Sequence, residues 1–144
     1  MDDFRMHLLE LSARGFQCAQ ILLILRLESD GEGNPGLVRA MGGLSGGMGF
    51  SGKACGALTG GACLIGYYAA QGEPDEMPDS RLNDMVAELA QWFDNEFGAK
   101  YGGSECACIL GGDMQNKKTR CPGVVEAVYF KCMEILEAGG YALD

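Results

Sequence analysis

Apolar residues recur at helical spacing along nearly the whole chain. Over residues 3–28, Leu8, Leu11, Ile21, Leu22 and Leu25 alternate with polar groups at mixed three and four spacing, which predicts helix. Gly15 is the point where this segment bends or breaks. The polar run Asp30-Gly31-Glu32-Gly33 ends it. Asn34 followed by Pro35 then opens a short helix that stops at Gly42-Gly43. Residues 54–70 are small, apolar and uncharged, so they read as a helix at the buried centre. Gly56 and Gly60 stand one turn apart there and let a neighbouring helix come close. Leu82, Met85, Val86, Leu89, Trp92, Phe93 and Phe97 form one stripe on a further helix, capped by Asp79 or Ser80 and ended by Gly98. Ser104 is placed to cap a short helix through Leu110. A last helix runs from Pro122 to Ala138, before Gly139-Gly140. No segment alternates as a strand does, and no repeat has a fixed period. The expected fold is all-α: one helical domain over residues 1–144, with about five to six helices and a glycine-rich loop at residues 42–52.

Composition narrows the function classes. At 47% apolar and 22% charged residues, the chain is neither disordered, coiled-coil nor collagen-like. A net charge of −9 repels phosphate backbones and argues against a nucleic-acid partner. Residues 73–96 hold eight carboxylates and a single cation, Arg81, which reads as a solvated helix face and loop. The longest apolar run, Ile21 to Leu25, is far too short for a bilayer. The acidic start, Met1-Asp2-Asp3, is unlike a secretory leader. A soluble, cytoplasmic protein is therefore expected, and in a reducing compartment its cysteines are candidates for metal ligation or thiol chemistry.

The seven cysteines divide by position. Cys63 and Cys132 stand among apolar helical neighbours and read as core. Cys55, Cys106 and Cys121 each fall at or just before an expected helix start, where free N–H groups and the dipole favour a thiolate. Lys117, Lys118 and Arg120 add positive charge before Cys121. Cys18 has no such help and, by position alone, reads as core. Cys108 follows Cys106 by two residues and points about 160° away on a helix. No Cys-x-x-Cys pair exists, so zinc-ribbon, thioredoxin and ferredoxin spacings are absent.

Two glycine motifs are decoys. Residues 47–52 match GxGxxG and, with Lys53, come close to a phosphate-binding loop. Both motifs need a preceding strand, which the pattern lacks, and Ala54 replaces the hydroxyl that would hold magnesium. His7 is the single histidine and reads as a surface residue, which leaves no Ser-His-Asp arrangement for hydrolysis. Trp92, Phe93 and Phe97 read as core.

The run Cys55-Gly56-Ala57-Leu58-Thr59-Gly60, with Cys18 upstream and Cys106 and Cys121 downstream, closely resembles the small redox-active C_GCAxxG_C_C proteins. The resemblance covers nearly the whole chain. It is similar also to a domain of split-Soret cytochromes that accompanies an iron–sulfur cluster, although the haem-binding motifs are missing here. The resemblance implies that Cys18, Cys55, Cys106 and Cys121 form the site. Four cysteines can hold a [2Fe–2S] cluster, the favoured expectation, a [4Fe–4S] cluster, or one zinc ion. The resemblance thus implies electron transfer with a redox protein partner, with room for a homodimer and no reaction specified. The alternatives are a metal-free dithiol protein using Cys55 and Cys121, or a structural zinc protein.

Overall fold

Local signals set the helix ends. In the computed structural model, which describes residues 2–143, α1 (Asp3–Ala13) starts where the Asp2 carboxylate accepts the Arg5 N–H at 2.8 Å. Gly15, with φ +101°, breaks the chain, and α2 (Cys18–Ser29) begins behind a reciprocal Gln17–Gln20 cap. Of the bend or break expected at Gly15, the structure shows the break. Asn34 caps α3 (Pro35–Met41), accepting from Leu37 N–H at 3.1 Å as its sequence signal required. The glycine-rich loop follows, then α4 (Gly56–Ala69) and α5 (Leu82–Phe93). A short α6 (Cys106–Leu110) and the long α7 (Asn116–Ala138) complete the chain. No strand occurs among the described residues. A single bridge pairs Ala54 with Glu105.

Helix ends differ from expectation in three places. Ser104 does not cap α6, because its hydroxyl donates to Asp94 instead. Gly98 does not stop α5. The chain continues through a π turn, Asp94–Gly98, to Tyr101 and stops at Gly102, with φ +85°. The wider turn keeps Phe97 buried against Phe93, with ring centres 5.2 Å apart, and lets Tyr101 stack on Phe97. The last helix starts at Asn116, so Pro122 lies inside it. Asp113 provides this earlier start: its carboxylate accepts from Gln115 N–H and its carbonyl from Asn116 N–H. Pro122 costs one helical bond to Lys118 but does not end the helix.

The centre of the packing is α4, which meets α2, α5 and α7. Its buried side carries Gly56, Ala57, Gly60, Gly61, Leu64 and Ile65. An added Cβ at Gly60 would stand 2.8 Å from Ala19 Cα, and one at Gly61 would stand 2.7 Å from Val128 Cγ1. The backbones of α2 and α4 therefore touch. The same helix has an outer face, where Cys63 is exposed. The reading of Cys63 as core was wrong, because absence of charge on α4 does not mean burial on every side. Cys132 is fully buried as expected, as are Phe93 and, nearly so, Phe97.

Paired substitutions on α4 separate packing from helix propensity. An added Cβ at Gly66 would meet only Ala70 Cβ, at an ordinary contact distance of 3.9 Å, so Gly66→Ala should raise stability by about 0.5–1 kcal/mol. Gly60→Ala gains the same propensity but drives a methyl into backbone, and should lower stability by about 1–2 kcal/mol net. Urea unfolding of both variants reads the opposite signs.

Candidate functional site

Three structural devices bring cysteines together. The first is the contact between α2 and α4. Cys18 opens α2, Cys55 caps α4, and an added Cβ at Gly56 would lie 2.5 Å from Cys18 Sγ. Only a glycine leaves room for that sulfur. The second device is a clamp on α6. Cys106 N–H donates to Lys53 O at 2.6 Å, Ala107 N–H to Gly52 O at 3.2 Å, and Cys55 N–H to Ser104 O at 3.2 Å. These bonds hold the start of α6 beside Cys55. The third is α7, tied to α6 by Arg120, whose Nη1 donates to Ile109 O at 2.9 Å and whose guanidinium lies over the Tyr101 ring. That tie sets Cys121 beside the other three.

Cys18, Cys55, Cys106 and Cys121 all line one small cavity of about 20 Å³, walled otherwise by apolar groups such as Ile109 and Val124. Cys18, Cys106 and Cys121 also line the floor of a larger open cleft of about 480 Å³. Cys55 does not reach that cleft. Cys108 is turned away, packed against Gly103, as two-residue helical spacing implies. Cys63 and Cys132 lie elsewhere, and all seven thiols are free. Among the described residues, no group of three His, Cys, Asp or Glu stands in an arrangement that could hold a metal ion.

The glycine loop forms one edge of the site. From Gly46 to Phe50 every residue has positive φ, including Met48 at +71° and Phe50 at +60°. A side chain at Gly47 would collide with the Lys53 backbone, so the loop can fold back only with glycine there. Met48 and Phe50 each cost about 1 kcal/mol in this conformation. The loop neither follows a strand nor enters a sheet, so its resemblance to nucleotide-binding motifs is coincidental.

The electrostatics differ from the sequence expectation. Burial pushes the Cys55 thiol up to about 12 and the Cys121 thiol up to about 11, and it also raises Cys18 and Cys106. Neighbouring sulfurs add to the rise: Cys18 acts on Cys55, and Cys18 and Cys106 act on Cys121. The N–H groups of Ala57 and Leu58 pull Cys55 the other way without closing a full cap bond. Ala19 and Gly46 do the same for Cys18, and Lys117 for Cys106 and Cys121. Desolvation wins at every one of these sulfurs. The expected low-pKa pair, Cys55 and Cys121, is therefore corrected to neutral thiols. Cys121 lies in the interior of α7 rather than at its start. For Cys106, the first N–H groups of α6 are already bonded to the loop.

His7 stands apart from the cysteines, half-exposed and bonded to Glu28 at 2.8 Å. Most of the acidic stretch is solvated as expected. Asp79 is the exception, bonded to Arg81 and Tyr141, which hold its carboxyl well below the usual range. No helix among the described residues is long and apolar enough to cross a membrane.

Thiol environments predict a labelling order and a pH response. Under reducing conditions, Cys63 should react first with an alkylating reagent, and Cys132 only on unfolding. Burial raises Cys132 from the ordinary value of 9.0 to about 12. Its share of stability is thus full below pH 9 and is lost as pH climbs from 9 towards 12. Between pH 8 and pH 10, unfolding free energy should fall by about 1 kcal/mol more in the native chain than in Cys132→Ala.

No curated protein and no solved structure matches the chain. A family model does, over residues 16–135, under the description "Putative redox-active protein (C_GCAxxG_C_C)". The matched span contains all four cavity cysteines, the glycine loop and the α2–α4 contact. The chain belongs to the C_GCAxxG_C_C family of redox-active proteins.

Proposed function

We propose that this protein is an electron-transfer protein in which Cys18, Cys55, Cys106 and Cys121 ligate an iron–sulfur cluster. The observation that carries the reading is the convergence of four thiols on one apolar cavity, where burial keeps each of them protonated. A thiol that is neutral at pH 7 is a poor nucleophile, which weighs against a metal-free dithiol mechanism. A bound cation reverses the local charge balance and deprotonates its cysteine ligands. Four sulfur donors suit iron–sulfur clusters or zinc. Zinc has no redox chemistry of its own, so membership of a redox-active family favours iron.

By space, the donor set fits in part. The closed cavity of about 20 Å³ takes one ion-sized particle. Room for more atoms lies on the cleft side, which three of the four cysteines already face. The cluster, once bound, supplies a one-electron couple. The chain's own contribution is the low-dielectric wall of Ile109, Val124 and Val125, and the N–H groups near Cys18 and Cys55. Donors near sulfur favour the reduced, more negative state and raise the potential. The partner is another redox protein.

A metal-free dithiol is the second reading, favoured by the lack of any three-residue metal-holding group among the described residues. Two thiols would then lose two electrons and two protons to an external oxidant as one S–S bond forms.

Anaerobic purification separates these readings. The expected protein is brown and contains iron and acid-labile sulfide in equal amounts. Cys55→Ser and Cys121→Ser should each lose most of the iron while retaining helical circular dichroism. Colourless protein that takes up no iron on anaerobic reconstitution overturns the cluster reading. A reversible loss of two titratable thiols would then establish the dithiol.

A further inference from the structure

The cleft above the cysteines has features that ligation does not use. It measures about 480 Å³, within the range of small-molecule sites. Its walls are Leu8, Leu9, Phe16, Phe50, Leu110 and Pro122. The molecule carries 20 acidic residues against 11 basic ones, yet no carboxylate lines this cleft. Its charged lining residues are Lys117 and Lys118. Lys117 is partly committed: its Nζ donates to Gln17 Oε1 at 2.8 Å and stands 5.4 Å from the Phe50 ring centre. Lys118 is exposed and has no such tie among the bonds found in the structure. Phe50 is 53% exposed and held at φ +60°, so an aromatic wall is kept at the mouth at a conformational cost.

We propose that this cleft binds a small organic anion, with an apolar body against the hydrophobic walls and a carboxylate or similar group at Lys118. Apolar walls alone would accept any greasy molecule. The local reversal of charge sign is what selects an anion. The floor of the cleft is the face shared by Cys18, Cys106 and Cys121, so the bound molecule lies against the redox site. Its role as the protein's small-molecule reaction partner rests on the redox reading. Its binding does not, and is measured apart from iron content.

Calorimetric titration with 4-phenylbutyrate and its neutral analogue 4-phenyl-1-butanol tests this. Both iron-loaded and iron-free forms of the protein as purified are titrated. The carboxylate should bind at one site per chain and about fivefold more tightly than the alcohol. Lys118→Glu should weaken the carboxylate about tenfold and leave the alcohol unchanged. This variant places a carboxylate in the first turn of α7, which favours the fold, so unfolding would not explain the loss. Failure of the carboxylate to bind, equal affinities, or an unaltered preference in Lys118→Glu overturns the proposal. Protein that takes up no iron on anaerobic reconstitution yet shows the anion preference sinks the cluster reading and leaves this one standing.

Discussion

The structure depends on the contact between α2 and α4. Gly56 and Gly60 stand one turn apart on α4, and each faces atoms where a methyl has no room. At Gly60 the obstruction is the Ala19 backbone, and at Gly56 it is the Cys18 sulfur. One close approach therefore does two jobs. It sets the distance between the two helices and places Cys18 beside Cys55 at their starts. The rest of the site is added to this pair. The loop carbonyls of Gly52 and Lys53 fix Cys106, and the Arg120 tie fixes Cys121.

Burial and charge oppose each other at these sulfurs. Helix N–H groups and Lys117 favour thiolates, but the apolar wall disfavours them more. A site built to activate a nucleophile would be arranged the other way, with exposure and cations next to sulfur. Here the innermost thiol, Cys55, is pushed up most among the four, and the outer ones face the cleft. In the proposed cluster reading, such a gradient suits ligands that become anionic only when a cation is present.

Strain is concentrated where function is proposed. Five consecutive left-handed residues fold the loop back on itself, and two of them, Met48 and Phe50, are not glycine. The fold tolerates this because Ser51 Oγ shares its one hydroxyl proton between the carbonyls of Gly47 and Met48 and because the loop is sewn to Lys53 and α6. The result is an aromatic ring held over the cleft beside Lys117.

Much of this architecture was legible in the residue pattern. The all-α fold, the Asn34-Pro35 start, the central uncharged helix and the stripe on α5 follow from periodicity and capping chemistry, which are local. Cys55, Cys106 and Cys121 stood out by their places near helix starts, whereas Cys18 joined them only through the family resemblance. Three features escaped. Pro122 outweighed Asp113 in placing the start of α7, although the Asx turn at Asp113 was a usable signal. Gly98 suggested a stop that aromatic packing of Phe97 overrode. Cys63 was assigned to the core because a sequence shows the polarity of a helix but not which arc its neighbours cover. By itself, then, the sequence determined the helices, the glycine positions that permit close contact and the identity of the cysteines. Only the tertiary structure decided that their thiols are neutral, that a charged cleft opens above three of them, and which face of each helix meets solvent. Those properties depend on desolvation and on distances between residues far apart in the chain, and no local pattern records either.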